Sequence, residues 1–186
     1  MSSGIRAAAG FDDLLKVTGK AELIGGRIVH LIPTGRKPNR VAFRIVRSLD
    51  DHAQATGRGG SYPDNIGFAV PELSSGRQSF SPDASDYDGP FLDDDMRFVR
   101  GAPTFAVEVR SGNDFGPSAE DDMAAKRADY FEAGTLVVWD VDPEAETVAV
   151  YRSDAPTTPT IDRRGDVAEA GPAAPGWRMA VDAIFA

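Results

Sequence analysis

Asp83, in the run Ser81-Pro82-Asp83, and Glu108, twenty-five residues further on in the strand-like run 106–111 (AVEVRS), form a pair of hard oxygen donors. Two carboxylates on neighbouring strands can share one divalent cation, and magnesium usually takes only one or two of them while keeping several waters. Such a cation acidifies a bound water, polarises a phosphoryl oxygen and offsets charge on the leaving group, which is the chemistry of phosphodiester hydrolysis. A lysine-bearing helix follows. On it Asp122, Lys126 and Tyr130 recur at i,i+4 spacing and share one stripe, from which Lys126 could reach an attacking water or a transition-state phosphate. Strand alternation puts Ala106, Glu108 and Arg110 on one face and Phe105, Val107 and Val109 on the other. Arg110 could bind phosphate but cannot act as a base, because a guanidinium stays protonated. A carboxylate in so apolar a strand is costly to bury unpaired, so Glu108 needs Arg110, a cation or water beside it. An ion pair with Lys126 is the alternative reading of Glu108, and Tyr130 reads as core or a packing wall.

The elements that must position these groups follow from the pattern of apolar and turn residues. A short helix over 11–17 leads into AELIGGRIVHLI (21–32), where Gly25 and Gly26 mark a hairpin. Ala42, Ile45, Val46, Leu49 and Ala53 recur at helical spacing, which predicts a helix over 40–55, stopped by Gly57, Gly59 and Gly60. Strands are expected at 65–70, 79–87 and 103–111. Ser118, ahead of three acidic residues, is a plausible N-cap for a helix over 119–133 that Gly134 ends. The run TLVVWDVD (135–142) is nearly all apolar, as for a strand buried on both faces, and TVAVYRS (147–153) pairs back on it. The Pro-, Gly- and Ala-rich tail from Ala155 is expected to fold over a sheet edge, and FLDDDMR (91–97) to form an exposed connection. Together these give an α/β (α+β) mixed sheet flanked by helices, with an N-terminal β-hairpin, in one domain spanning residues 1–186.

Composition narrows the chemistry. The chain has no cysteine and two histidines, which excludes disulfides and thiolate sites and argues against a zinc cage. Any metal should be a hard cation bound by oxygen. No apolar run approaches the ~20 residues needed to span a bilayer, and MSSGIRAAAGFDDLL lacks the apolar core of a signal peptide, so a soluble, cytoplasmic protein is expected. A net charge of −9 repels polyanions at long range. Within this acidic chain Arg36, Lys37, Arg40, Arg44 and Arg47 make a basic cluster that could grip a phosphate backbone, or simply be a solvated helix face.

The SPD of 81–83, the AVEVRS of 106–111 and the passage from Lys126 to Pro143 (KRADYFEAG to VVWDVDP) together resemble the Uma-type putative restriction endonucleases of the PD-(D/E)XK nuclease superfamily. The resemblance runs from ELIGGRIV near Glu22 to the closing PGWRMAVDAIF and implies a restriction-endonuclease-like fold. It implies that Asp83 is the aspartate of the PD element and Glu108 the acidic residue of the (D/E)XK element, the two metal ligands of a catalytic set. Arg110 stands in the place of the usual lysine, and Lys126 matches a helix lysine that takes over its role. Glu22 matches the acidic residue of an ELIDG-like run that contributes a further ligand or orients a metal water. The family's frequent histidine near the start of the second helix is replaced around Pro38 and Asn39.

Other motifs carry less. DASDYDG (83–89) fails the register of a calcium loop, since Ala84 would be its first ligand and Asp95 its last. His30 and His52 read as structural, Asp140 and Asp142 as a strand end and its turn, and SGNDFGPS (111–118) as a loop beside the site. The expected function is a Mg2+- or Mn2+-dependent endonuclease acting on DNA, as a homodimer if both strands are cut. A noncatalytic scaffold that keeps the fold, or a hydrolase of a small phosphoester, are the competing readings.

Overall fold

The apolar run at 137–142 is an inner strand of a six-stranded mixed sheet and pairs in parallel with the strand that carries Glu108. The structure, a computed structural model, describes residues 8–90 and 96–186. The chain opens with α1 (Phe11–Leu14) and the hairpin β1 (Ala21–Ile24) and β2 (Arg27–His30), turned by Gly25 and Gly26 at positive φ. Helix α2 (Arg36–Thr56) precedes β3 (Gly60–Pro63), β4 (Phe68–Ala69), β5 (Ser79–Phe80), β6 (Ala84–Tyr87), β7 (Val99–Arg100) and β8 (Phe105–Val109). Then come α3 (Pro117–Glu132), β9 (Val137–Asp142), β10 (Thr147–Arg152), β11 (Ala155–Arg163), β12 (Val167–Glu169), β13 (Arg178–Ala180) and α4 (Val181–Ile184). The main sheet runs β11-β10-β9-β8-β6-β3, antiparallel except for the parallel pair β8 and β9, which α3 connects. The mixed α+β architecture predicted from the residue pattern is thus observed.

The alternation read from β8 holds. Phe105, Val107 and Val109 pack with Trp139, Val141 and the apolar face of α2, while Ala106 and Val138 face Tyr130 of α3 together with Phe68 and Phe80. Glu108 therefore projects on the α3 side, directly across the parallel pair from Asp140. Helix α2 begins four residues earlier than its apolar spacing suggests. Pro38 lies in its first turn, where a missing N–H breaks no helical bond. Likewise Gly116, not Ser118, caps α3, and Pro117 starts it. The expected strand over 79–87 is split at 81–83, and that break carries Asp83.

The tail differs most from expectation. Its first nine residues form β11, the outer strand of the main sheet, where Pro156 and Pro159 are tolerated because an edge strand has N–H groups that need no partner. The rest covers the α2 side, with Trp177 against Trp139 and Phe105. Of the connection expected at 91–97, residues 91–95 lie outside the described residues.

Asp86 of β6 is buried opposite Ser61, whose hydroxyl donates to it at 3.2 Å. Burial pushes its carboxyl from 3.8 up to about 6. The folded state then holds a proton that the unfolded chain has already released, so this group's contribution to stability falls as pH rises from about 4 through about 6. Asp86→Asn is expected to be more stable than wild type at pH 7 and to lose that advantage near pH 4. Paired thermal melts at the two pH values check this, and a difference independent of pH would contradict it.

Candidate active site

The hairpin β1-β2, the break before β6, the end of β8 and one face of α3 meet around a cleft of about 650 Å³. Asp83 is fixed to β8 twice: its backbone N–H donates to the Val107 carbonyl at 3.0 Å, and its Oδ2 accepts the Val109 N–H at 2.8 Å. Its carboxylate is thereby brought to the same cleft as Glu108, one residue before that N–H. Glu108 Oε1 accepts the Tyr130 hydroxyl at 2.6 Å and lies 2.9 Å from Lys126 Nζ. Both contacts use Oε1, so neither of these two donors engages Oε2. The i,i+4 stripe of α3 therefore delivers Lys126 and Tyr130 to one carboxylate, with Asp122 lining the cleft one turn away. Tyr130 is also the packing wall expected of it, stacked on Phe80 at 4.2 Å between ring centres.

Glu22 stands behind this pair. It is 2% exposed and accepts the Ser81 N–H at 3.0 Å, with Lys126 Nζ at 3.2 Å and Arg77 on its other oxygen. Arg77 in turn donates to Asp129 at 2.8 Å. With both oxygens committed to protein donors, Glu22 orients Lys126 and is less open to the cleft than Asp83 or Glu108. Burial works against its charge, but Lys126, Arg77 and the Ser81 N–H together hold its carboxyl below the ordinary range.

Burial pushes the Glu108 carboxyl up, Lys126 opposes that, and the nearby Asp83 carboxylate adds to it. Lys126 is held firmly protonated: burial opposes its charge, and Glu108 and Glu22 outweigh burial. A buried hydroxyl beside Glu108 is driven the same way, so Tyr130 stays a phenol and a donor.

Two groups were missed from the residue pattern. Lys20, just before β1, reaches Asp83 Oδ1 at 2.8 Å and Asp64 at 2.6 Å. Arg77 lies in the polar loop SSGRQ and pairs across the fold with Glu22 and Asp129. A signal existed for Asp129, which sits three residues from Lys126 and so on its helix face. Nothing local marks Lys20 or Arg77.

Arg110 shares the face of Glu108 and lines the cleft, but its guanidinium is bound to Asp140 at 2.8 and 2.9 Å and to Glu120. Arg127 joins the same aspartate at 2.9 Å. Asp140 is thus the buried anchor of an arginine pair, and Lys126 is the cation that meets Glu108. The basic cluster is elsewhere. Arg36, Lys37, Arg40 and Arg44 do not line the cleft, because α2 packs on the opposite side of the sheet from α3. Arg44 donates to the Ile184 carbonyl at 3.3 Å, Lys37 lies 3.9 Å from Glu146, and Arg40 sits over Phe43. His30 lines the cleft, whereas His52 contacts the Pro175 carbonyl.

Among the described residues no group of three or more His, Cys, Asp or Glu is placed to hold a metal, while Asp83 and Glu108 both line the cleft as hard oxygen donors. Two carboxylates with water completing the shell are what Mg2+ or Mn2+ accepts. The cluster is also short of positive charge, with Glu22, Asp83, Glu108 and Asp129 facing Lys20, Arg77 and Lys126.

The family model described as Uma2, putative restriction endonuclease, matches residues 9–182. The crystal structure of a putative nuclease belonging to DUF820 from Anabaena variabilis superposes with a TM-score of 0.71 at 18% identity, over 94% of this chain and 96% of that one. That likeness is one of fold. No curated protein matches the chain.

Proposed function

From a chain that belongs to the Uma2 family of putative restriction endonucleases, we propose a divalent-metal-dependent endonuclease that hydrolyses DNA phosphodiesters in the cytoplasm. The observation that carries this reading is the ammonium of Lys126, set between Glu108 and Glu22 and opening on a cleft that Asp83 shares. Asp83 and Glu108 are the residues that would hold Mg2+ or Mn2+. Bound there, such an ion would supply the acidity for a water and the positive charge that offsets charge building on the phosphate.

The chain's own groups do the rest. Lys126 stays charged and so acts as a cation toward the phosphate or the attacking water, not as a base. Tyr130 and Lys126 hold Glu108 by one oxygen and so fix the direction of the other. Glu22, itself fixed by Arg77, holds Lys126 from behind, which restricts the rotamers that would carry it out of reach. Arg110 ties β8, β9 and the first turn of α3 together through Asp140 and Glu120, and it positions the wall without touching the carboxylate pair. Cutting both strands of a duplex needs two such clefts and hence a homodimer.

One observation favours a second reading. The cleft is of small-ligand size, and the basic stripe lies away from it, as would suit a small phosphodiester.

Supercoiled plasmid should be nicked in Mg2+ or Mn2+, not in EDTA, and Glu108→Ala should reduce nicking to background. Cleavage of a chromogenic phosphodiester without plasmid nicking would select the small substrate. Identical trace activity in wild type and Glu108→Ala would leave a noncatalytic scaffold.

A further inference from the structure

We propose that Lys20 is a tethered competitor for the metal position: its ammonium pairs with Asp83, and a divalent cation would bind by driving it onto Asp64. This rests on the metal reading above and adds to it a residue that sets the affinity.

The geometry is specific. Lys20 is held at its backbone, where the Leu31 N–H donates to its carbonyl at 2.9 Å. Its side chain is 17% exposed and bridges two carboxylates, Asp83 inside the cleft and Asp64 at the rim. Asp64 is set independently of it, since its Oδ1 also accepts the Asn65 N–H at 2.8 Å in a turn where Asn65 has φ of 73°.

Asp83 has little room for two cations. Its Oδ2 is taken by the Val109 N–H, and its Oδ1 is the oxygen Lys20 holds at 2.8 Å. A magnesium ion would approach an oxygen to about 2.0–2.1 Å, which sets it against the ammonium on the same side of one carboxylate. Like charges so close in a poorly solvated cleft repel strongly. The ammonium can yield without losing every partner, because Asp64 keeps it. Lys126 has no such exit, as both of its carboxylates lie inside the cluster.

The test is Mn2+ titration of the metal-free full chain by calorimetry, with free-ion electron paramagnetic resonance as an independent count of bound ion. Lys20→Met keeps the apolar stem and removes the charge, and it should bind Mn2+ at least about tenfold more tightly than wild type. Asp64→Asn lies at the rim, 40% exposed, and should weaken binding, since Lys20 then has only Asp83. In the double variant the Asp64→Asn effect should vanish, because it acts through Lys20. Binding only by Lys20→Met also supports the proposal.

Equal or weaker binding by Lys20→Met, with wild type binding normally, overturns the competitor role and leaves the metal reading intact. An Asp64→Asn effect that persists in the double variant overturns it as well. No binding by any of the proteins removes the metal reading and this proposal with it.

Discussion

Lys126→Ala is expected to stay folded, with reduced stability, yet to lose nicking activity by a factor on the order of 10²–10⁴, the range for removing a positioned polar group from a transition state. Two losses combine. The cation nearest Glu108 disappears, and so does the group that opposes the upward push of burial on the Glu108 carboxyl. Glu108 then keeps its proton to higher pH and serves less well as a ligand near neutrality. Since a raised carboxyl releases its proton only as pH increases, residual activity of the variant should climb with pH more steeply than that of wild type. Nicking rates between about pH 6 and 9, with circular dichroism as the folding control, measure both effects. A folded Lys126→Ala protein with wild-type rates would remove the lysine from the chemistry.

The largest effect on stability is expected at Arg77. Replacing it with methionine leaves Glu22 and Asp129, which are 2% and 6% exposed, without their shared counter-ion. Breaking a buried pair from one side typically costs about 3–5 kcal/mol. For a chain of this size that lowers the melting temperature by roughly 6–20 °C. Glu22 keeps Lys126 and the Ser81 N–H, so the stranded charge is chiefly that of Asp129. Adding Asp129→Asn to Arg77→Met should therefore recover part of the loss. Urea denaturation of the single and double variants checks this, and a loss under about 1 kcal/mol would mean that water reaches both carboxylates.

What could be read from residue order was what depends on local periodicity. Two-residue alternation put Glu108 on the right face of β8, and four-residue spacing put Lys126 and Tyr130 on the right face of α3. Their meeting required only that the helix cover that face. Lys20 and Arg77 were invisible because their partners are distant in the chain, 63 residues away for Asp83 and 55 for Glu22. Arg110 illustrates a different limit. Its face was readable, but the register that sets Glu108 opposite Asp140 was not, and that register turns the arginine toward a buried aspartate. Likewise α2 was found by its apolar face, while the side of the sheet it covers, and so the separation of its arginines from the cleft, depended on topology alone.

Proline occurs on both outer strands of the main sheet, Pro63 ending β3 at one end and Pro156 and Pro159 within β11 at the other. A proline offers no N–H to an incoming strand, so each margin is a poor template for continuing the ladder into another molecule. The sheet is in this sense finished. Copies of the chain that pair to cut two strands would then meet otherwise than by continuing the main sheet, and the same prolines guard against the edge-to-edge stacking by which exposed β-edges lead to insoluble aggregates.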